Sequence, residues 1–531
     1  MSASAALHYL ENLGAEKKAV GSSVEVWCTN LEYDLCNLFD RNRISEVFLR
    51  FGRSYLCGAR WRGVDFRDTV RHLPASVADL GELVGLRKKE GDLFKGKRPT
   101  FPLSARMLAK YRTRCKRDAA ITYQAAGRFY ESYAAFGERA RMTLASTALR
   151  IWQEKFWKRE VRRPAPVIWQ AALDAYHGGR TQAFAHGTFA DVQVVDVASM
   201  YPWAMTVAPM PLPWGLMRRV PKGGTLQAFG VYRVKVTSHL AIPRLPVRTD
   251  KGTIFPNGTW IGWYVGEELQ AFARAGGRVA VLGGYEFGEK CDPFRGYVDA
   301  MFKRKQRSRG MARVMFKLLL NSLYGKFGQQ GRQVRAVTVA KFIAMSPRPK
   351  DAREWNGLVI YSEDSAPPPW SNNVWCAFVT ARARVRLVDE MNAIVREGGR
   401  VLYCDTDSVI FSGGSRRYPD RAPRLGAFER RGRYKNLLLV GKKEYALDCG
   451  RGRWLPIAKG VPFAERMRYL RTGVAEFDRP ARMRESARQG LTVNVWRRVT
   501  KERRVRLEKG VLQTDGTLAT PTMKAGRTVV R

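Results

Sequence analysis

The segment RVLYCDTDSVIFS, residues 400–412, constrains the fold most, because it places two carboxylates in a tight turn between two apolar runs. Each run favours a β-strand, so the segment predicts a strand, a turn and a second strand. Asp405 and Asp407 flank Thr406 in that turn. Holding two carboxylates close together between apolar strands costs free energy unless a cation compensates their charge. A polar hairpin turn without a cation is the alternative that this segment alone leaves open.

A third carboxylate, Asp196, ends the apolar run VQVV and precedes the segment VASMYP, residues 197–202. At the end of a buried strand, its side chain and the next backbone amides can face the same space. A helix N-cap is the alternative role for this residue alone. Phosphoryl transfer from a nucleotide uses two divalent cations about 3.5–4 Å apart, and magnesium prefers oxygen ligands. Two or three aspartates at one point would hold such ions.

The segment RVMFKLLLNSLYGKFGQ, residues 313–329, predicts a helix with an unusual polar face. Lys317, Asn321 and Tyr324 are spaced i, i+4 and i+7, which places them on one side. A cation, an amide and an aromatic ring suit a triphosphate and a base better than a core. Residues 292–327 as a whole predict two helices with a break near 308–310, and Lys305 lies in the first of them. A solvated basic helix is the alternative.

The charge of the chain is strongly positive, with 93 lysines and arginines against 48 acids and a formal net charge of +45. Such a surplus favours a polyanionic partner, because neutralising phosphates releases counterions. Nucleic acid is therefore the predicted partner, although charge alone does not separate an enzyme from a ribosomal-type or histone-like binder.

Cysteine spacing and hydropathy exclude several other classes of protein. The eight cysteines include no CxxC pair, so neither a zinc site nor a disulfide framework is predicted, and a reducing, cytoplasmic location is expected. No run of about 18 apolar residues occurs, so no membrane span is predicted. A chain of 531 residues is longer than a domain with one hydrophobic core usually is, so several subdomains are expected.

Five segments in order resemble the motifs of family B DNA polymerases. DVASMYP resembles motif A, KLLLNSLYG motif B and YCDTDS motif C, while YHGG and KKEY resemble the YxGG and KxY motifs. The resemblance covers about residues 20 to 510 and is strongest to the protein-primed branch of phages, linear plasmids and some viruses. It implies a template-directed DNA polymerase that extends a primer 3′-OH by two-metal phosphoryl transfer.

The fold that this resemblance implies is α+β, a right-hand polymerase with palm, fingers and thumb after a partial ribonuclease H-like 3′–5′ exonuclease domain. The expected divisions are an incomplete exonuclease-like domain at 1–150, a connector with YxGG at 151–190, palm at 191–284, fingers at 285–327, further palm with motif C at 328–435, and thumb and C-terminal region at 436–531. Protein priming needs a partner-docking insertion. The stretch between motifs A and B is compact and predicts none, whereas the Pro-rich stretch between motifs B and C leaves room for a small one.

The resemblance also implies roles for individual residues. The metal and catalytic residues are Asp196, Asp405 and Asp407. The nucleotide-binding residues are Tyr201, which would exclude a 2′-hydroxyl, and Lys305, Lys317, Asn321 and Tyr324. The primer- and template-binding residues are Tyr176, Gly178, Gly179, Ser199, Tyr403, Lys443 and Tyr445.

The cofactors and partners follow from the same resemblance. Two Mg²⁺ ions are expected, with Mn²⁺ as a substitute. The expected partners are primer–template DNA and deoxynucleoside triphosphates, with a terminal protein as the candidate primer. A monomer is expected.

The exonuclease part of the resemblance is incomplete. TNLEYD resembles the second exonuclease motif and gives Asn30 and Asp34, while RCKRD resembles the third and gives Asp118. Arg114 stands where the third motif usually has tyrosine, and no Asp-x-Glu pair precedes Asp34. We therefore expect proofreading to be absent or impaired. A start of the protein upstream of this sequence is the alternative.

Two other functions compete with a DNA polymerase. The first is a non-catalytic nucleic-acid-binding relic, which usually loses its carboxylates, yet all three aspartates are present. The second is an RNA-synthesising or reverse-transcribing enzyme, which typically has two adjacent aspartates in motif C and a small residue at the position of Tyr201.

Overall fold

The computed structural model describes most of the 531 residues as two compact units. The described residues are 3–52, 55–88, 103–250, 252–422, 424–480, 496–503, 511–513 and 517–523. The first unit comprises Met1–Arg159, Gly296–Pro368 and Pro480–Arg497, and the second comprises Glu160–Arg295, Pro369–Arg479 and Arg498–Arg531. Parts of the predicted thumb at 436–531 lie outside the described residues.

The helices of the described residues are α1 (Ala3–Ala19), α2 (Leu31–Leu38), α3 (Val77–Val84), α4 (Ala105–Ala134), α5 (Leu144–Lys155), α6 (Pro166–Ala175), α7 (Met200–Thr206), α8 (Gly266–Arg274), α9 (Arg295–Arg307), α10 (Gly310–Ser322), α11 (Tyr324–Phe327), α12 (Val339–Ile343), α13 (Asn373–Arg396) and α14 (Phe463–Thr472). The predicted break between two helices near residues 308–310 is confirmed, because α9 ends at Arg307 and α10 begins at Gly310.

The strands of the described residues are β1 (Val24–Cys28), β2 (Phe48–Phe51), β3 (Leu56–Trp61), β4 (Val64–Asp68), β5 (Thr181–Ala183), β6 (Gly187–Val197), β7 (Met210–Pro211), β8 (Met217–Val220), β9 (Gly230–Ser238), β10 (Val247–Thr249), β11 (Gly252–Ile254), β12 (Asn257–Val265), β13 (Arg278–Phe287), β14 (Lys290–Cys291), β15 (Arg332–Thr338), β16 (Arg353–Trp355), β17 (Leu358–Asp364), β18 (Gly399–Asp405), β19 (Ser408–Gly413), β20 (Phe428–Gly441), β21 (Glu444–Asp448), β22 (Trp454–Ala458), β23 (Val474–Pro480), β24 (Trp496–Glu502), β25 (Val511–Leu512), β26 (Leu518–Ala519) and β27 (Thr522–Met523).

The first unit is built around a four-stranded sheet in the order β1-β4-β3-β2, in which β1 and β4 are parallel. Its core includes Leu31, Leu35, Trp61 and Phe66, all fully or almost fully buried. A three-stranded sheet in the order β15-β17-β16 contributes Trp355 to the same core. The stretch between motifs B and C therefore folds into a small sheet of its own, as its length and composition allowed.

The second unit contains the sheet that carries the acidic motifs. Its seven strands run in the order β22-β21-β20-β6-β19-β18-β5. One face packs around buried residues such as Val192, Leu402, Ile410 and Leu437. In β18 and β19 consecutive residues are buried, so both sheet faces are covered there, whereas buried and more exposed residues alternate in β20.

The expectation of a compact stretch without a subdomain between motifs A and B is wrong. Residues of that stretch form β8, β9, β12 and β13, which join β27 in a five-stranded sheet in the order β27-β12-β9-β13-β8. This sheet has its own core, which includes Tyr232, Val234, Trp260 and Phe272. The chain between β9 and β12 forms the hairpin of β10 and β11, and α8 lies between β12 and β13.

The sequence of residues 373–398 has the pattern of a long amphipathic helix. The helix is confirmed as α13, but the structure corrects its predicted solvent-facing side. Most residues of α13 are buried, including the arginines Arg382 and Arg384. Arg382 pairs with Glu267 and Arg384 with Glu268, each through two contacts of 2.7 Å. These pairs satisfy charges that the pattern assigned to a solvent-facing side.

The described residues include no helix that is long and apolar enough to cross a membrane.

Candidate active site

The turn between β18 and β19 has the predicted strand–turn–strand form. Asp405 lies opposite Ser408 in the antiparallel register, so Thr406 and Asp407 form a two-residue loop. Thr406 has a φ of 62°, a left-handed conformation that β-branched residues disfavour. Its N–H donates to the carbonyl oxygen of Arg180 at 2.6 Å. The neighbouring strand segment thus holds a strained turn in place, as is common at functional sites.

Asp196 lies on the strand next to this turn. Ser408 of β19 is the register partner of Asp196 in β6. The N–H of Val197 donates to the carbonyl oxygen of Asp407 at 2.8 Å. The structure therefore brings Asp196, Asp405 and Asp407 to one end of one sheet. The alternative role of Asp196 as a helix N-cap is excluded, because the N-cap residue of α7 is Ser199.

Burial and mutual repulsion shape the electrostatics of the three carboxylates. Burial, together with the charges of Asp196 and then Asp405, raises the pKa of Asp407 to about 6. The Oδ1 atom of Asp196 is buried and has no hydrogen-bond partner among the described residues. Negative charge at this point is thus incompletely compensated by the protein.

Two cationic side chains nevertheless contact the acidic site. Arg431 donates from Nε and Nη2 to Oδ2 of Asp196, at 2.9 and 2.6 Å. The Nζ of Lys443 lies 2.8 Å from Oδ2 of Asp405. In the part of the chain that the structure describes, no three carboxylate, histidine or cysteine side chains converge as a ready-made metal site. The sequence interpretation missed Arg431, which lies 235 residues after Asp196.

The donor set still fits divalent cations of the magnesium type. Mg²⁺ takes oxygen ligands and usually binds through one or two carboxylates together with substrate phosphates. Asp196 offers a buried oxygen without a partner, and Asp407 carries a carboxylate whose ionisation its surroundings disfavour. A cation would relieve both conditions, since opposite charge lowers the pKa of a carboxyl group.

The YHGG segment packs directly on the motif C turn. A Cβ atom on Gly179 would lie 2.9 Å from Cγ2 of Thr406 and 3.0 Å from Oη of Tyr201, whereas one on Gly178 would meet nothing within 4 Å. The resemblance implies that the two glycines let the protein backbone approach the template. For Gly179 the structure gives another reason, which is close contact with the turn and with the tyrosine of motif A.

The second buried arginine of α13 supports this segment. Arg384 donates from Nη1 to the carbonyl oxygens of His177 and Gly178, at 2.5 and 3.0 Å. His177 is buried and stacks on Tyr264 with 5.5 Å between ring centroids. Tyr176 caps the end of α6, and burial raises the pKa of its hydroxyl. The segment between α6 and β5 is therefore held from several sides.

The residues predicted to grip the primer form one cluster next to Asp405. Tyr403 is buried, its hydroxyl accepts the N–H of Lys443 at 3.2 Å, and its ring lies 5.2 Å from that of Tyr445. Burial, and then the charge of Asp405, raises the pKa of Tyr445 to about 12. Ser199, the remaining member of the primer-binding set, has a φ of 57° and precedes α7.

The predicted nucleotide-binding residues other than Tyr201 belong to the first unit. Lys317 and Asn321 lie in α10, and Lys305 lies in α9 with its Nζ 5.3 Å from the Phe302 ring centroid. Their roles with nucleotide stay predictions.

Tyr324 does not lie on the same helix as Lys317 and Asn321, which corrects the predicted single face. It begins α11, because α10 ends at Ser322. The carbonyl of Leu319, which a continuing helix would bond to residue 323, accepts the hydroxyls of Tyr297 and Ser322 instead.

The exonuclease-like residues Asn30 and Asp34 lie beside an acid that the sequence interpretation missed. Asp68, at the end of β4, is 1% exposed and accepts the N–H of Asn30 at 3.1 Å. It also accepts the N–H of Val70 and pairs with Arg71. Its place after a strand was the signal that could have identified it.

Asp118, the third exonuclease-like residue, lies in α4 between two cations. Lys88 lies 3.1 Å and Arg114 3.9 Å from its Oδ2 atom. Arg114 is the residue at the position where the motif usually has tyrosine. The departure from the motif therefore places a positive charge beside the carboxylate that would bind metal.

The stability of the protein should depend on pH through Asp34. Burial raises its pKa from 3.8 to about 6, so the folded state binds a proton that the unfolded chain has lost. The stabilisation from this proton is complete below about pH 4 and disappears as pH rises through 6. We expect Asp34→Asn to raise the urea midpoint most at pH 7 and least at pH 4. A gain that is largest at pH 4 would contradict this sign.

Comparisons with known proteins agree with this geometry. The model of the family described as DNA polymerase type B, organellar and viral, matches residues 101–342. The probable DNA polymerase of Podospora anserina is 28% identical over 352 residues, which is 58% of this chain and 28% of the relative. The DNA-directed DNA polymerase of Enterobacteria phage PRD1 is 25% identical over 402 residues, covering 72% of this chain and 66% of the relative. The chain is therefore similar to family B DNA polymerases.

The fold of the chain is also similar to that of a solved polymerase. Phi29 DNA polymerase, in a structure with primer–template DNA and incoming nucleotide, matches with a TM-score of 0.71 at 18% identity over 93% of both chains. The predicted resemblance and the α+β right-hand fold are confirmed. The chain spans only 28% and 33% of the length of the Podospora anserina and Kluyveromyces lactis relatives.

Proposed function

We propose that this chain is a DNA-directed DNA polymerase that adds deoxynucleotides to a primer 3′-OH by two-metal phosphoryl transfer. The observation that carries the proposal is the convergence of Asp196, Asp405 and Asp407 at one end of one sheet. The family relationship and the fold support the same reaction.

The chain's own carboxylates define the proposed chemistry. Asp196 and Asp407, with Asp405 beside them, would hold two Mg²⁺ ions, for which Mn²⁺ would substitute. When bound, such ions activate the attacking oxygen and stabilise charge on the transferred phosphate. Tyr201, beside Gly179 and the motif C turn, would contact the sugar of the nucleotide and reject a 2′-hydroxyl.

The remaining residues would position the substrates. Lys305 and Lys317 would bind the triphosphate, because cations stabilise its negative charge. Asn321 and Tyr324 would orient the incoming base. The cluster of Tyr403, Lys443 and Tyr445 would hold the primer end close to Asp405.

The experiment that tests this function is single-nucleotide incorporation on a primer–template with Mg²⁺. We expect the chain to incorporate the deoxynucleotide that is complementary to the template and to discriminate against the other three and against the ribonucleotide. The second candidate function is a DNA-binding relic, and the pairing of two aspartates with Arg431 and Lys443 is the observation that favours it. DNA binding without incorporation would support the relic.

We further propose that the chain does not proofread. Asp118, the carboxylate that would bind metal, is paired with Lys88 and Arg114, and their positive charges oppose cation binding there. We expect no Mg²⁺-dependent degradation of a single-stranded 3′ end, and the same background from the parent and from Asp118→Ala. Robust cleavage that Asp118→Ala abolishes would overturn the proposal.

The proposed partners are primer–template DNA and deoxynucleoside triphosphates. A net charge of +45 suits the DNA phosphates, and binding should weaken steeply as salt increases. We also propose a terminal protein as the primer. The sheet of β8, β9, β12 and β13 and the sheet of β15–β17 are the insertions that such a partner would contact. We propose that the chain acts as a monomer in the cytoplasm.

A further inference from the structure

Arg431 reaches the acidic site because of an irregularity in β20. Arg430 pairs with Val195 and Gly432 with Val194, so Arg431 is the extra residue of a β-bulge. Bulges bend a strand and redirect the side chain at the irregular position. The guanidinium of Arg431 consequently lies against Oδ2 of Asp196, while its Nη1 lies 3.0 Å from Glu429.

The contact compensates Asp196 only in part. Both bonds from Arg431 end on Oδ2, and the buried Oδ1 has no hydrogen-bond partner among the described residues. The side chain of Arg431 is 50% exposed, so the guanidinium can leave toward solvent. Half-exposed ion pairs of this kind contribute little to stability. The pair is therefore suited to exchange rather than to permanent structure.

We propose that Arg431 is a built-in counter-ion that a divalent cation must displace from Asp196, and that its freed guanidinium then binds phosphate oxygens. The inference rests on the proposed polymerase function. A guanidinium keeps its charge at all working pH values, so it cannot remain beside a metal-bound carboxylate without repulsion. Its planar set of donors matches two phosphate oxygens, which a nucleotide or the DNA backbone would supply.

This exchange couples the metal to the phosphate-bearing substrate. Without phosphate, displacing Arg431 leaves its charge facing a cation, so metal binding is weakened. With phosphate present, the guanidinium has a new partner and the metal binds more tightly. Because such coupling is reciprocal, the metal must strengthen phosphate binding by the same factor.

The first test measures Mn²⁺ binding to the full chain without nucleotide or DNA, from the electron paramagnetic resonance signal of free Mn²⁺. We expect Arg431→Ala to bind Mn²⁺ roughly tenfold more tightly than the parent, within the usual range of coupling between two interactions. Arg430→Ala is the matched control. It removes the same charge from the neighbouring residue, which pairs with the exposed Asp420 instead of with Asp196. Equal or weaker Mn²⁺ binding by Arg431→Ala, compared with Arg430→Ala, overturns the proposal.

The second test identifies the source of the phosphate. Nucleotide affinity is measured on a primer–template with a 3′-deoxy primer in Mg²⁺, and DNA affinity is measured in Mg²⁺ without nucleotide. We expect Arg431→Ala to weaken one of these by roughly tenfold. Weaker nucleotide binding assigns the guanidinium to the triphosphate, and weaker DNA binding assigns it to the backbone. If Arg431→Ala weakens neither nucleotide binding nor DNA binding, the phosphate half of the proposal is overturned.

Two controls keep these outcomes separate from other failures. Thermal melting of Arg431→Ala and of the more conservative Arg431→Gln establishes that the variants are folded, and both should tighten Mn²⁺ binding. If the parent chain incorporates no nucleotide, the polymerase proposal fails, yet the Mn²⁺ comparison still reports whether Arg431 competes with a cation at Asp196.

Discussion

Asp407→Asn is expected to reduce the rate of nucleotide incorporation by about 10³-fold, the size typical when one group that stabilises transition-state charge is removed. The substitution keeps the volume of the side chain and removes its charge at the motif C turn. Burial, with the charges of Asp196 and Asp405, already disfavours an ionised Asp407, so the melting temperature of the metal-free protein should not fall. Loss of activity without loss of stability is the signature of a metal ligand.

The matched control for this variant is Asp420→Asn. Asp420 lies in the same unit, has a side chain that is 79% exposed and pairs with Arg430. It should keep incorporation within about twofold of the parent, as surface substitutions usually do. Steady-state incorporation and thermal melting of the three proteins decide the matter. Equal activity of Asp407→Asn and the parent would show that the metal assignment is wrong.

The second large loss of activity is expected from Gly179→Ala. The added Cβ would lie 2.9 Å from Cγ2 of Thr406. The threonine side chain is short and rigid, and it belongs to the turn that carries the aspartates. The turn has little freedom to yield, because Thr406 is already left-handed and its N–H is bonded to Arg180. A displacement of about 1 Å at reacting groups can reduce a rate by about 10²-fold. We expect a loss of that size in kcat.

Gly178→Ala is the control for this substitution. Neither glycine is among the described residues with a positive φ, so alanine can adopt both backbones. A Cβ on Gly178 meets nothing within 4 Å. This variant should keep kcat and alter at most the KM for DNA. Equal kcat values for the two variants would contradict the packing role of Gly179.

Local patterns predicted the parts of the site that lie within one short segment. The alternation around Asp405 and Asp407 identified the hairpin, and the apolar run before Asp196 identified its strand. The break between α9 and α10 was likewise visible, because residues 308–310 interrupt two helical patterns.

Features that depend on distant pairing were not predictable in this way. Arg431 contacts Asp196 only because β20 pairs with β6 and contains a bulge, and neither the pairing nor the bulge is written in the nearby residues. Gly179 contacts Thr406 across more than 200 residues of sequence. The sequence does not indicate that Arg384 is buried, because its partner Glu268 belongs to a distant helix of the chain. In each case the partner is supplied by the tertiary fold.

Cleavage of the chain by bound Fe²⁺, with added ascorbate and hydrogen peroxide, tests the central claim most directly. Reduction of the peroxide at the ion yields hydroxyl radicals, which cut the nearby backbone. The claim is that Asp196, Asp405 and Asp407 together hold the catalytic cations. With primer–template and nucleotide present, we expect cuts next to residue 196 and next to residues 405–407, both suppressed by excess Mg²⁺ and absent in Asp407→Asn. Cuts confined to other regions, such as the surroundings of Asp34 and Asp118, would contradict the account.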